Sequence, residues 1–83
     1  MSTLFGATIT VNGVEYRLIE YPLHKTVAVH DIEGHELFEA VEDITGEYME
    51  FYKESEFLDQ SPHIGNFAGV QDCIEWFINV GEF

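Results

Sequence analysis

The chain has 83 residues and a formal net charge of −13, because sixteen carboxylates are set against only three basic side chains. An apolar fraction of 46% is too high for a disordered acidic tail, and the length fits a single domain, residues 1–83, with a small core. The charge opposes direct binding to nucleic acid and to anionic membranes, since both are negatively charged.

The first predicted element is a β-hairpin centred on Asn12-Gly13. Asn-Gly favours the two positive φ angles of a type I′ turn, and alternating apolar and polar residues flank it on both sides. A two-residue turn fixes the register and places Ile9 opposite Tyr16 on the apolar face. We therefore predict strands over Leu4–Val11 and Val14–Tyr21.

A second pair of strands follows. Thr26–His30 is rich in β-branched residues, which favour strands. A two-residue turn at Glu33-Gly34 would place Val29 opposite Phe38. The fourth strand then covers about Glu36–Val41.

Residues 36–58 allow two interpretations, and strands are the favoured one. A four-residue turn over residues 43–46 leads into a fifth strand, from Glu47 to about Glu54. In this register Glu39 faces Glu50, and facing like charges cost about 0.2–1 kcal/mol per pair. The same register pairs Met49 with Ala40, Phe51 with Phe38, and Glu42 with Glu47.

The alternative for this segment is a helix with a heptad-like apolar stripe. The run Ile44-Thr45-Gly46 at its centre and the dense aromatic residues after it are poor helix formers. The choice decides how many strands the sheet contains.

A C-terminal helix over about Val70–Val80 is predicted in either case, because its apolar residues recur at helical spacing. Gly69 is the expected N-cap, and Gly81 suits the end of the helix. The predicted fold class is α+β: an antiparallel meander of about five strands with one C-terminal helix packed on one face. The alternative is an N-terminal hairpin or three strands plus helices over residues 36–58 and 69–81.

The acidic residues concentrate in one stretch. Between Asp31 and Asp59 there are eleven acidic residues and one base, Lys53. Two tyrosines in the same stretch could add contact area, since tyrosine is enriched at binding hot spots. The predicted partner-binding residues are Glu36, Glu39, Glu42, Asp43, Glu47, Tyr48, Glu50, Tyr52 and Glu54.

In size, charge and lack of catalytic motifs, the chain resembles the small acidic phage-encoded inhibitors that copy nucleic-acid charge, the anti-CRISPR and anti-restriction proteins. The resemblance covers the whole chain and rests on no diagnostic motif. It implies a non-enzymatic inhibitor that blocks a basic nucleic-acid-binding protein, such as a nuclease or a CRISPR surveillance complex. It also implies action in the cytoplasm, that of the host cell if the chain is phage-encoded.

Other interpretations stay open beside this one. The acidic residues could simply keep the protein soluble, or they could reflect a saline habitat. An adaptor could use an apolar surface around Trp76, Ile78 and Phe83, or Trp76 could mark a homodimer contact. The favoured interpretation of Trp76 is a core residue. The four histidines lack the spacing of a zinc motif, so no metal or other cofactor is predicted. A single cysteine, Cys73, excludes an internal disulfide, fits a reducing cytoplasm, and is expected to be a buried structural thiol.

Overall fold

The computed structural model describes residues 6–83, which form a six-stranded antiparallel sheet and one α-helix. The strands follow the chain order across the sheet, so the sheet is a meander. This confirms the predicted α+β class, with one strand more than expected. No helix in this part of the chain has the length and apolarity that crossing a bilayer requires. The elements are β1 (Gly6–Val11), β2 (Val14–Tyr21), β3 (Thr26–His30), β4 (Glu36–Glu42), β5 (Met49–Lys53), β6 (Glu56–Gln60) and α1 (Val70–Val80), with 3-10 turns at Pro22–His24 and Ile64–Asn66.

β1 and β2 form the predicted hairpin. Asn12 and Gly13 have φ angles of 55° and 82°, as a type I′ turn requires. Ile9 faces Tyr16, as the two-residue turn predicts. Residues 4 and 5 of the predicted first strand lie outside the described part of the chain.

β3 covers the predicted residues, but its turn into β4 is one residue longer than expected. The Asp31 N–H donates to the His35 carbonyl at 3.0 Å, and Gly34 takes a φ of 92° inside this three-residue turn. A β-bulge beside Val29 absorbs the additional residue. Val29 therefore still faces Phe38, as predicted.

The strand interpretation of residues 36–58 is confirmed and the helical alternative is wrong. The position of the turn differs from the prediction. The Asp43 N–H donates to the Tyr48 carbonyl at 2.9 Å, so this pair closes the ladder. The four-residue turn covers residues 44–47 rather than 43–46.

The register between β4 and β5 consequently differs by two residues from the predicted one. Glu39 faces Tyr52 and not Glu50, so the expected repulsive pair does not exist. A shift of two leaves every side chain on its predicted face, because the side-chain period of a strand is two. The other predicted pairs also change: Ala40 faces Phe51, and Glu42 faces Met49 rather than Glu47.

β6 is absent from the predicted set of strands. It follows β5 through a two-residue turn in which Glu54 and Ser55 have φ angles of 52° and 70°. Residues other than Gly, Asn and Asp adopt positive φ angles rarely, so this dipeptide carries no turn signal in the sequence. Lys53 faces Glu56 across the turn, and the strand forms one edge of the sheet.

α1 has the predicted bounds and packs against one face of the sheet, beginning after Gly69 and ending at Gly81, which has a φ of 75°. The Phe77 ring stacks on Phe51 with centroids 4.1 Å apart and meets Phe38 edge-on at 5.0 Å. All three rings are fully buried. The core therefore lies between α1 and this face, and we call the opposite side of the sheet the open face.

Candidate functional site

The meander separates the charges in space. Because the strands follow the chain order, residues 31–60 form one side of the sheet, from the β3–β4 turn through β6, and we call this part the acidic half-sheet. It contains a single base, Lys53, whereas residues 6–30 contain two acids and two bases. The eleven carboxylates of the acidic half-sheet are those of Asp31, Glu33, Glu36, Glu39, Glu42, Asp43, Glu47, Glu50, Glu54, Glu56 and Asp59.

Three of the predicted residues meet on the open face of the acidic half-sheet. Tyr52 is the cross-strand partner of Glu39, and its hydroxyl donates to Glu50 Oε1 at 2.7 Å. This hydrogen bond, together with partial burial and the charge of Glu50, raises the pKa of Tyr52. Phe57 on β6 packs edge-on against the Tyr52 ring at 5.6 Å and is 53% exposed. The open face thus carries an aromatic pair beside two carboxylates.

The other six predicted residues lie at the ends of β4 and β5. Glu42, Asp43, Glu47 and Tyr48 surround the β4–β5 turn, and Glu36 and Glu54 lie at the opposite end of the two strands. The Tyr48 ring packs edge-on against His63 at 5.6 Å, rather than joining Tyr52. The predicted set is therefore not one flat surface but extends from one end of the hairpin to the other.

The Asp43 carboxylate makes hydrogen bonds within the β4–β5 turn. Its Oδ1 accepts hydrogen bonds from the Thr45 hydroxyl at 2.8 Å and from the Glu47 and Tyr48 N–H groups at 3.2 and 3.4 Å. Burial of the carboxylate opposes its ionisation, but these hydrogen bonds outweigh that effect and hold the pKa of Asp43 below its ordinary value. We therefore treat Asp43 as a loop-closing residue.

A second cluster of polar groups lies in the β3–β4 turn. His35 Nδ1 is 3.3 Å from Asp31 Oδ2 and 3.7 Å from Glu33 Oε1. The backbone N–H of His35 donates a hydrogen bond to the Asp31 carboxylate, and this bond lowers the pKa of Asp31. Burial opposes the shift, and the hydrogen bond from the Glu33 N–H adds to it. These are the hydrogen bonds of a tight turn, and they account for the proximity of the three side chains.

Cys73 is fully buried on the inner side of α1. Burial raises the pKa of its thiol, and a hydrogen bond with Ser61 opposes this only in part. The reactive thiolate form is therefore disfavoured. The expectation of a structural thiol agrees with this environment.

The side chains that the adaptor alternative would use, those of Trp76, Ile78 and Phe83, lie largely inside the molecule. Ile78 is 7% exposed, and the Phe83 ring lies 4.8 Å from that of Phe38. Trp76 is half-buried and contacts Phe51 and Phe67 at centroid distances of 6.3 and 6.4 Å. Ile78 belongs to the core, and the partly buried Trp76 and Phe83 pack against it.

Phe57 is the site residue that sequence reasoning missed. It lies on β6, the strand without a recognisable turn before it. The available signal is the apolar pair Phe57-Leu58, which stands between Glu56 and Asp59 and does not alternate with polar residues. This pattern alone does not define a strand.

Comparisons with models of protein families, with curated proteins and with solved structures found no match to this chain.

Proposed function

We propose that this protein binds the basic, nucleic-acid-binding surface of another protein, such as a nuclease or a CRISPR surveillance complex, and blocks it without catalysis. The observation that carries the proposal is the segregation of charge. Eleven of the sixteen carboxylates lie in the acidic half-sheet together with one base. A partner with a cationic cleft would supply the missing counter-charge.

The charge density supports nucleic-acid mimicry. Duplex DNA carries one charge per about 1.7 Å of axis, so eleven carboxylates correspond to roughly 19 Å of duplex. A strand of seven residues, such as β4, spans about 23 Å. The acidic half-sheet therefore offers about the charge that DNA offers over the same length.

The aromatic pair on the open face would strengthen such a contact. Phe57 is half-exposed, and Tyr52 has its hydroxyl already bound to Glu50. A partner can cover both rings without leaving that hydroxyl unsatisfied. Burial of the rings would add affinity that salt does not screen, while the carboxylates steer the approach. We place this activity in the cytoplasm, where the free thiol of Cys73 is stable.

The proposal predicts that the position of the charges matters, and not only their number. We would compare Glu39→Lys/Glu47→Lys, on the acidic half-sheet, with Glu15→Lys/Glu75→Lys, outside it. Both double variants raise the net charge by the same amount. Immobilised on a resin in bacterial lysate at low salt, wild type should capture basic nucleic-acid-binding proteins and release them near 0.5 M NaCl, where the Debye length is about 4–5 Å.

The two variants give opposite expectations. Glu39→Lys/Glu47→Lys should capture at least about tenfold less protein than wild type, as measured by mass spectrometry. Glu15→Lys/Glu75→Lys should capture nearly as much as wild type. Inhibition of DNA cleavage by each captured nuclease, titrated to a stoichiometric end point, gives the functional readout. Equal losses in both variants, or captured proteins without affinity for nucleic acid, would refute the proposal.

A further inference from the structure

A groove of about 410 Å³ opens between the start of α1 and the inner face of the first three strands. Its apolar walls come from both layers. Ala7, Leu18 and Val27 contribute from the sheet, and Val70 and Ile74 contribute from the helix. The groove exists because α1 covers the sheet only in part at this end.

The groove continues into a second cavity of about 210 Å³. Both cavities are lined by Glu20, Val27 and Val70, and the second reaches the buried side chain of Met49. The first cavity falls within the range of about 300–1,000 Å³ that is typical of ligand sites, and apolar linings with few polar groups are typical of them too. Because the two cavities share lining residues, together they suit a chain segment better than a compact molecule.

The rim of the groove is acidic. Glu20, Glu42 and Asp72 line it, and Lys25 is its one basic residue. Asp72 accepts a hydrogen bond from the Ala68 N–H at 3.2 Å. Within the described residues the close charge pairs both involve His35, so no lysine or arginine forms a direct ion pair with these carboxylates. With three carboxylates and Lys25, the rim keeps a net negative charge.

We propose that this groove binds a short, extended, basic segment of another protein, in which apolar side chains alternate with lysine or arginine. The apolar side chains would enter the space beside Leu18 and Val70, and the cations would pair with Glu20 and Asp72. The acidic rim excludes nucleic acid and acidic peptides by repulsion. The site does not depend on the proposed function, because it lies on the inner side of the sheet, opposite Tyr52.

The test uses synthetic peptides of about eight residues, or roughly 26 Å when extended. One alternates lysine with leucine, a second alternates lysine with serine, and a third alternates glutamate with leucine. Backbone amide shifts of the ¹⁵N-labelled full chain report the affinity and the place of binding. The lysine–leucine peptide should bind saturably and shift the amides of Ala7, Val27 and Val70, the lysine–serine peptide should bind at least about tenfold more weakly, and the glutamate–leucine peptide should not bind.

Two matched pairs of variants locate the site. Val70 and Val80 lie at opposite ends of α1 and are 37% and 39% exposed, yet only Val70 lines the groove. Val70→Lys should weaken binding of the lysine–leucine peptide about tenfold, because apolar contact is lost and the new lysine repels those of the peptide. Val80→Lys should leave the affinity unchanged. Likewise Glu20→Gln should lower the affinity for this peptide about threefold, and Glu15→Gln, on the same strand, should leave the affinity unchanged.

Three results would overturn the proposal. One is equal binding of the lysine–leucine and lysine–serine peptides, which would indicate charge attraction alone. Another is equal effects of Val70→Lys and Val80→Lys. The third is binding that appears only after Leu4 and Phe5 are replaced by serine, which would assign the groove to this chain's own N-terminal residues. None of these results bears on Glu39 or Tyr52, so the proposed function is tested separately.

Discussion

Asp31 and Asp43 close the two hairpin turns at opposite ends of β4 with the same set of contacts. Each carboxylate accepts from the backbone N–H four residues later, at 2.9 Å for Asp31 and 3.2 Å for Asp43. Each carbonyl accepts from the glycine three residues later, Gly34 or Gly46, at 3.1 and 3.0 Å. Two of the carboxylates in the acidic half-sheet thus stabilise the fold directly.

This role gives a prediction for Asp43. Asp43→Ala removes the acceptor of the Thr45, Glu47 and Tyr48 hydrogen bonds, so it should lower the Tm and speed amide exchange at residues 47 and 48 about tenfold. Glu47→Gln is the control, because that side chain is exposed and makes no such contact. Unchanged exchange in Asp43→Ala would contradict the loop-closing role.

At the scale of elements, the β1–β2 and β5–β6 turns have the same kind of backbone and different residues. Gly13 occupies the second turn position in one and Ser55 in the other, with φ angles of 82° and 70°. A left-handed conformation costs a residue with a Cβ about 1–2 kcal/mol, and glycine adopts it freely. The β5–β6 turn therefore carries strain that the β1–β2 turn avoids.

Reciprocal substitutions measure this strain. Ser55→Gly should raise the free energy of unfolding by about 0.5 kcal/mol, since relief of the strain is partly offset by the entropy of glycine in the unfolded chain. Gly13→Ser should lower it by about 1 kcal/mol; no atom lies within 4 Å of a Cβ at this position, so the backbone angle is the cause. Urea denaturation measures both. A destabilised Ser55→Gly protein would show that the turn is not strained.

The same two turns explain which elements could be predicted. The β1–β2 hairpin and α1 have local signals, namely Asn12-Gly13 and the glycines that flank the helix, and the structure has both elements where these signals predict them. β6 depends on Glu54-Ser55, which takes positive φ angles only because the neighbouring strands pair. Its position could not follow from local propensity.

The candidate site was predictable to the same degree. Alternation alone places Glu39, Glu50 and Tyr52 on one face, and a register shift of two preserves this. The position of the β4–β5 turn decides which of these residues face each other across the strands. That position is set by Asp43, which pairs with Tyr48 at the end of the ladder. Phe57 belongs to the missed strand, so it could not be assigned to the face.

At the scale of the whole molecule, the meander converts an uneven charge distribution along the chain into an uneven distribution in space. A fold with crossover connections would interleave residues 6–30 with residues 31–60 and dilute the field. Here residues 6–30, in which two acids and two bases balance, form adjoining strands, and the acidic half-sheet follows them. Such polarity orients an approaching cationic partner before contact.

The carboxylates respond to pH in two opposite ways. The hydrogen bond between Glu82 and Asp59, with the charge of Asp59 and some burial, raises the pKa of Glu82 above its ordinary 4.5. Its contribution to stability is therefore complete below pH 4.5 and is lost as the pH rises through the folded-state value. Asp31 and Asp43 have pKa values below 3.8. They stabilise the fold above pH 3.8, and this contribution is lost as the pH falls through their folded-state values.

These opposite signs predict a maximum of stability between pH 3.8 and 4.5, where net charge and self-repulsion are also smallest because the isoelectric point is about 4.2. The Tm, followed by circular dichroism in dilute protein, should rise from pH 7 to this window and fall below it. Glu82→Gln should reduce the rise, and Glu75→Gln, which removes a charge from α1 away from Asp59, should retain it. A Tm that only declines between pH 7 and 4.5 would contradict the prediction, because the raised pKa of Glu82 and the decreasing self-repulsion both act in the opposite direction.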